Sequence, residues 1–341
     1  MARCLQLARL GNGLVAPNPM VGAVLVYEGS IIGEGYHQVY GGPHAEVNCV
    51  NSVGRDDKQF ISRSTLYVSL EPCAHFGKTP PCAGLIIKEQ IPQVVIASRD
   101  PFEKVNGRGI ELLQEAGINV REGILEAEAR ELNKRFFCFH KNKRPYIFLK
   151  WAQTADGFIA GSDHQPLKIS NECSDRWVHK MRSEEAAIMI GTNTALIDNP
   201  SLTNRLWTGR NPVRVVVDKQ LRIPREANLY NTSSRVVVFN SIEGRTESHI
   251  SFVKIPPNDE LLPFLMNYLY KENITSLMVE GGSALLQSFL DASLWDEAVV
   301  ITNTALCIKN GIPAVTAHQE GLNATLRYGN DNIQVFKNTQ R

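Results

Sequence analysis

The chain has almost no net charge. Its 36 Lys and Arg stand against 35 Asp and Glu, leaving +1 over 341 residues. Such a balance sets up no global field that would draw the protein onto nucleic acid or an anionic membrane surface, although a local basic groove is compatible with it. Long apolar runs are missing too. The 20–27 stretch has the length of a buried strand and falls well short of the ~18 apolar residues of a membrane span. The amino-terminal MARCLQLARLG lacks a long apolar h-region and reads as the start of an amphipathic helix, which argues against a secretory signal. Cysteines are odd in number and dispersed: Cys4, Cys49, Cys73, Cys82, Cys138, Cys173 and Cys307. That distribution argues against a disulfide framework and for a reducing cytoplasm, with most thiols acting as small buried hydrophobes. There is no solenoid-type repeat and no low-complexity tract. Membrane, collagen-like, disordered and coiled-coil classes therefore fit poorly. What remains is an ordinary globular composition whose length suits about two domains at ~150 residues each.

Short β-rich runs alternate with helical stretches through the first half. Strands are predicted over 21–27, 31–36, 65–69, 94–97 and 119–122, and helices over 2–10, 45–53, 83–90 and 109–116. This is the pattern of a layered α/β domain. Leu125, Ala129, Leu132, Phe136 and Phe139 recur every three or four residues, so a single long helix is predicted over 125–140. The basic 141–144 stretch then meets Pro145, and helices usually stop before a proline. The domain boundary is placed there, dividing the chain into 1–143 and 144–341. A second α/β pattern follows. Its strands are predicted over 146–151, 187–190, 213–217, 236–239, 276–279 and 297–302, and its helices over 173–182, 260–271 and 283–290. The halves do not resemble each other, which points to two activities, or to one activity with a separate binding domain.

The first half carries one concentrated set of chemical groups. His44, Cys73 and Cys82 offer one imidazole and two thiolates, a three-ligand zinc set with an open fourth position. An open position lets a catalytic zinc hold and acidify water. Glu46 lies two residues after His44 at the start of a predicted helix. It is close enough to take the water's proton and pass it to a departing amine without being a ligand itself. His-x-Glu followed by Pro-Cys and a second Cys is the signature of zinc nucleobase deaminases, here with a wider gap: eight residues, 74–81, separate the cysteines. Pro80 and Pro81 stiffen the return, and Cys82 opens a helix, which favours thiolate over thiol. Two blander readings stand beside this one. The residues are unrelated, or they hold a structural zinc that His75 closes as fourth ligand. The joint presence of all the parts favours the catalytic centre.

In the second half, Val279-Glu280-Gly281-Gly282-Ser283 follows an apolar strand and opens a helix. Two glycines allow a phosphate to approach backbone N–H groups at the helix start, with Ser283 adding a hydroxyl; a plain strand-to-helix turn explains the same residues. Gly191-Thr192-Asn193-Thr194 and Asp198-Asn199-Pro200 form a second cluster, in which Asp198 either binds a ligand or caps a turn. Arg182 and Arg205 are phosphate forks or ordinary surface charges.

The string Glu71-Pro72-Cys73-Ala74-His75-Phe76-Gly77-Lys78-Thr79-Pro80-Pro81-Cys82 resembles the deaminase half of the bifunctional riboflavin-biosynthesis deaminase/reductase family. So do Asn18-Pro19-Met20-Val21-Gly22-Ala23, Gly42-Pro43-His44-Ala45-Glu46, Arg99-Asp100-Pro101 and Gly107-Arg108-Gly109. The 150–157 run, Arg182, the 191–205 stretch and the 279–283 turn resemble the reductase half, so the likeness covers nearly the whole chain. It implies a cytidine-deaminase-like αβα domain with a mixed sheet, followed by a dihydrofolate-reductase-like α/β domain. The implied substrate is a diaminopyrimidinone carrying a ribosylamino 5′-phosphate, whose 2-amino group is replaced by oxygen. NADPH then reduces the ribosyl group to ribityl. The implied cofactors are one zinc per deaminase site and NADPH.

Carried over by motif, the resemblance makes Asn18, His37, His75 and Lys78 substrate contacts of the deaminase. Asn offers a donor and an acceptor to a base edge, and Lys78 offers a cation to a phosphate. Asn18 before Pro19 shaping a turn, and Lys78 in solvent, are the ordinary alternatives. In the reductase half it places Ala152, Lys168, Thr194, Asp198, Gly281, Gly282 and Ser283 at the cofactor. Lys150, Arg182, Leu202, Arg205 and Glu280 fall at the substrate. Two departures stand out. Lys168 occupies the place of a tryptophan in the family's Ser-x-Trp-Ile stretch, and the run from Asn303 to Gly311 lacks the family's glycine pair. They keep a monofunctional deaminase with a degenerate second half in play. A nucleic-acid deaminase is a further alternative, disfavoured by the balanced charge, and Glu46 argues against a purely structural zinc module. The expected partner is a small phosphorylated pyrimidine, without nucleic acid or membrane. Homo-oligomers are common among such enzymes, which sets that expectation.

Overall fold

In β1 (Gly22–Tyr27) Ala23 and Leu25 point to one face of a sheet and Val24 and Val26 to the other, and both sets are covered. Helix α1 (Ala2–Arg9) lays Cys4 and Leu7 on Val24. β1 pairs antiparallel with β2 (Ser30–Tyr36) and β3 (Thr65–Val68), and β3 continues in parallel through β4 (Gln93–Ile96) to β5 (Asn119–Arg121). The resulting order is β2-β1-β3-β4-β5. On the Ala23 face, α2 (Ala45–Asn51), α3 (Cys82–Lys88) and α4 (Arg108–Glu115) bury Cys49, Ile86, Ile110 and Leu113. A three-layered αβα unit with a mixed sheet follows from this two-sided burial. A Cβ on Gly35 would stand 2.2 Å from the Cys49 backbone nitrogen. Only glycine there lets α2 lie directly on β2.

The structure is a computed structural model that describes residues 1–74, 81–103, 105–163, 165–231, 234–316 and 321–339. The chain divides into two units, Met1–Lys143 and Arg144–Arg341. The long helix predicted over 125–140 is instead two, α5 (Glu126–Leu132) and α6 (Lys134–Asn142), bent at Asn133. Asn133 is buried, with its amide donating to the Met20 carbonyl and its Oδ1 accepting the Met20 N–H, both at 2.8 Å. Backbone bonds from Asn133 to Ala129 and from Phe137 to Asn133 run through the bend. The apolar spacing therefore persists across it, and periodicity alone does not report the break.

The second unit is built on a ten-stranded sheet. Its chain order is β6 (Tyr146–Thr154), β7 (Phe158–Gly161), α7 (Glu172–Glu184), β8 (Ala187–Gly191), α8 (Thr192–Asp198), β9 (Val213–Val217), β10 (Val236–Asn240), β11 (Arg245–Glu247), β12 (Ile250–Lys254), α9 (Leu261–Lys271), β13 (Ser276–Val279), α10 (Ser283–Asp291), β14 (Glu297–Asn303), β15 (Gly311–Pro313), β16 (Leu322–Tyr328) and β17 (Asp331–Lys337). The sheet runs β11-β12-β10-β9-β8-β13-β6-β14-β17-β16, parallel from β12 to β14 and antiparallel at both edges. One face packs on α9 and α10 through Leu265, Leu269, Leu286 and Phe289. The other packs on α7 through Val178 and Met181. The six parallel strands predicted from the sequence, β6, β8, β9, β10, β13 and β14, are covered on both faces, which explains their near-continuous apolar runs; β12, also parallel but carrying Ser251 and an exposed Lys254, is not among the predicted strands. The strands held only in antiparallel pairs are not among the predicted ones: β11, β16 and β17 of this sheet, and β7 and β15, which form a separate two-stranded sheet. β11 and β15 have three residues each, and β16 is largely exposed, so neither length nor apolar alternation marks them.

Asn133→Ala is expected to destabilise the first unit by about 1–3 kcal/mol, because it strands both backbone groups of Met20. All four tryptophans lie in the second half of the chain. The expected result is an earlier urea transition by circular dichroism with the tryptophan fluorescence transition unmoved.

Candidate functional site

His44 stands at the N-cap of α2 in extended backbone, Cys82 is the first residue of α3, and Cys73 lies in the loop after β3. Two helix starts and one loop thus deliver three donors to one point. His44 Nδ1 lies 3.5 Å from Cys73 Sγ and 3.3 Å from Cys82 Sγ, and all three donor atoms fall within 4.8 Å of one another. Tetrahedral zinc with ordinary bond lengths requires nitrogen–sulfur separations of roughly 3.6 Å. The donor set therefore fits zinc in both chemistry and spacing. Hydrogen bonds from Cys82 and His44 pull the Cys73 thiol below its usual range, while the bond to Cys73 and burial push Cys82 up. The Cys82 N–H also points at Cys73 Sγ at 3.3 Å. Glu46 sits in the first turn of α2, 3% exposed, and burial raises its carboxyl to about 7. A side chain poised there alternates between taking and giving a proton near neutral pH.

Asn18 and His37 come together beside this centre. His37 is buried; its Nδ1 lies 3.0 Å from the Pro43 carbonyl and its Nε2 3.1 Å from Asn18 Nδ2. A carbonyl only accepts, so Nδ1 carries the proton and Nε2 accepts from the Asn18 amide. The His37 ring meets His44 edge-on at 5.5 Å, and burial lowers its pKa, keeping it neutral. His75 and Lys78 lie outside the described residues. Glu71 was not singled out as a site residue. Its buried carboxylate accepts the N–H groups of Asp100, Gly107 and Gly109 at 3.2, 3.0 and 3.0 Å. A Cβ on Gly109 would stand 2.0 Å from the Pro72 oxygen. Glu71 thus ties the loop before α4 against the Pro72-Cys73 turn. A glutamate directly before Pro-Cys, with two later glycines, was the available signal.

In the second unit β8 and β13 are parallel neighbours, and each runs into a helix. The Gly191 N–H donates to the Gly281 carbonyl and the Glu280 N–H to that of Met189, both at 2.9 Å. A Cβ on Gly282 would lie 3.2 Å from Thr194 Oγ1. Thr194, Gly281, Gly282 and Ser283 therefore share one corner at the carboxyl ends of the strands, where open α/β sheets bind ligands. Asp198 is exposed at the end of α8, and Ala152 lies on β6 against the α7-side core. Leu202 is buried and turns its side chain into the hydrophobic core, with its backbone at φ 53°.

Arg182 from α7 holds Glu280 with two bonds, Nε–Oε1 at 2.8 Å and Nη2–Oε2 at 2.6 Å. Lys150 on β6 shares the sheet face of Phe148, toward α7. Burial lowers its pKa and Glu280 opposes that. Burial works to raise the Glu280 carboxyl, but Arg182 and Lys150 outweigh it and hold it at about 2. Lys168 is exposed and pairs with Asp175 near the start of α7. Arg205 is exposed, with its Nη1 3.2 Å from Ser201 Oγ. The 303–311 segment is held without a glycine pair. Asp156 accepts the N–H groups of Ile308 at 3.1 Å and Lys309 at 2.8 Å, and Asn303 donates to the Ile169 carbonyl at 2.7 Å.

The zinc-ready triad with its buried glutamate defines a deaminase unit, and the doubly covered sheet with a glycine turn at its carboxyl edge defines a reductase-type unit. Residues 1–98 match the cytidine and deoxycytidylate deaminase zinc-binding region, and residues 145–307 match the RibD C-terminal domain. The chain is 40% identical over 307 residues to the riboflavin biosynthesis protein RibD of Aquifex aeolicus, covering 88% of this chain and 85% of that protein. It is 36% identical over 318 residues to RibD of Escherichia coli, with shares of 88% and 85%. A Thermotoga maritima crystal structure described as a diaminohydroxyphosphoribosylaminopyrimidine deaminase/5-amino-6-(5-phosphoribosylamino)uracil reductase superposes with a TM-score of 0.88 at 35% identity. That match spans 99% of this chain and 97% of that one. The chain belongs to the RibD family of riboflavin biosynthesis proteins.

Glu280→Gln removes the carboxylate that Arg182 grips and that Lys150 faces across the site. The distance from the ordinary 4.5 down to about 2 corresponds to about 3 kcal/mol. A carboxyl held low stabilises above its unfolded pKa and loses that contribution as pH falls through the folded one. Urea unfolding followed by tryptophan fluorescence is expected to show a loss of about 3 kcal/mol at pH 7. The gap to wild type should close between pH ~4.5 and ~2.

Proposed function

We propose that this chain is a bifunctional enzyme of riboflavin biosynthesis. It deaminates 2,5-diamino-6-ribosylamino-4(3H)-pyrimidinone 5′-phosphate and then reduces the ribosyl group of the product to ribityl with NADPH. The single observation that carries the reading is the convergence of His44, Cys73 and Cys82 on zinc spacing beside the buried Glu46. The matches extend over both halves, so the deaminase does not stand alone.

In the first unit His44, Cys73 and Cys82 hold the zinc, which supplies an acidified water for attack on the carbon bearing the 2-amino group. Glu46 takes the proton and delivers it to the departing nitrogen, which leaves as ammonia. Asn18, oriented by the His37 tautomer, accepts an N–H of the base through Oδ1. His75 and Lys78 complete the substrate contacts.

In the second unit NADPH supplies a hydride to the ribosyl C1′. The corner of Thr194, Gly281, Gly282 and Ser283, with Ala152, Lys168 and Asp198, receives the cofactor, its backbone N–H groups suiting the phosphates. Arg182, fixed by Glu280, and Arg205 offer guanidinium groups to the phosphorylated substrate, Leu202 and Glu280 complete that site, and Lys150 lies near the reacting carbon. The deaminase occupies 1–143 and the reductase 144–341. No helix among the described residues is long and apolar enough to cross a membrane. The balanced charge supports a small-molecule substrate rather than a polynucleotide. The dispersed, odd set of cysteines supports a cytoplasmic setting. The homo-oligomer reading rests on the frequency of such assemblies.

A mass-spectrometric time course tests both halves. Without NADPH the product is expected to carry oxygen in place of the amine; with NADPH it is expected to gain two hydrogens. Absence of that gain would leave a deaminase alone. Glu46→Gln should slow ammonia release by about 100-fold or more while still reducing supplied deaminated intermediate. Removal of zinc by a chelator should produce the same division.

A further inference from the structure

His179 lies on α7, one turn before Arg182, and is 4% exposed. Its Nδ1 receives two backbone N–H groups, from Arg205 at 3.1 Å and from Leu206 at 3.4 Å. An imidazole nitrogen that accepts carries no proton, so the ring is neutral with its hydrogen on Nε2. Burial, then Arg182 and Arg205, lower its pKa to about 4 and hold that state through the physiological range. The same turn touches α7 a second time. A Cβ on Gly209 would stand 2.6 Å from the Ser183 Cβ, and the Asn204 N–H closes the loop on Asn211 Oδ1 at 2.7 Å. The segment that carries Arg205 is therefore pinned to the helix that carries Arg182, and His179 is the polar pin.

We propose that His179 is a positioning residue of the reductase half: it fixes Arg205 relative to Arg182, so that two guanidinium groups present one geometry to the substrate phosphate. The inference rests on the reading of Arg205 as a phosphate contact. His179 touches neither substrate nor cofactor in this scheme. It acts by satisfying two N–H groups that otherwise have to find water, which frees the turn to drift. A displacement of about 1 Å at a binding cation is enough to cost ten- to a hundredfold.

The test uses the full-length enzyme with supplied deaminated intermediate, phosphorylated or dephosphorylated, and NADPH. His179→Phe keeps the ring's bulk and removes the acceptor. It is expected to raise KM for the phosphorylated substrate about tenfold, with kcat, KM for NADPH and the deamination rate within twofold. Its preference for phosphorylated over dephosphorylated substrate should shrink by the same factor. His179→Asn, whose Oδ1 stands where Nδ1 stood, should restore both. His179→Gln shifts its carboxamide by one methylene and is expected to behave like the Phe variant; it carries the test should that variant not fold. A wild-type KM and preference in the Phe and Gln variants would overturn the proposal. So would an equal loss in the Asn variant accompanied by a lower Tm, the mark of a merely structural histidine. Arg205→Gln separates the two readings: an unchanged phosphate preference there refutes the role of Arg205 itself, whatever the His179 variants do.

Discussion

A carboxylate taken out of water must be answered by fixed donors, and in each unit that requirement organises a site. In the first, Glu71 collects the backbone N–H groups of Asp100 and Gly107 from the loop before α4 and that of Gly109 from its first turn, and so ties that segment to the turn bearing Cys73. In the second, Glu280 is gripped by Arg182 across α7 and β13 with Lys150 nearby. Glu71 fixes backbone, and Glu280 fixes a cation.

The same economy appears at the helix starts. His44 caps α2 and Cys82 begins α3, so two zinc donors are set by the way the helices begin. Because α2 rests directly on β2 at Gly35, the direction of His44 and the burial of Glu46 are consequences of sheet packing. The corner of Thr194, Gly281 and Gly282 follows the same plan, with the turns after β8 and β13 joined by the Gly191–Gly281 and Glu280–Met189 bonds. These groups sit where a loop or a strand gives way to a helix, on rigid elements that hold them in place.

Much of the fold is legible in the residues because parallel strands covered on both faces are apolar almost throughout. Ala187–Gly191, Val213–Val217 and Ser276–Val279 announce themselves in that way. The break at Asn133 does not, since apolar spacing reports a buried face and the same face continues through the bend. Short or exposed edge strands such as β15 and β16 leave no periodic trace. Among site residues, those whose chemistry is unusual for their setting stood out: His44, Glu46, Cys73 and Cys82. His179 carries no motif and lies within an ordinary helical pattern, so its role emerges only from what folds against it.

The sequence by itself determined the donor chemistry of the zinc centre, the presence of a glutamate beside it, and the division into two α/β halves. Each of these depends on residue type and local spacing. Tertiary structure alone decided the proton positions on His37 and His179, the capture of loops by Glu71 and Asp156, and the inward turn of Leu202. Those depend on which backbone group arrives at a side chain from far along the chain, and no local pattern encodes that arrival.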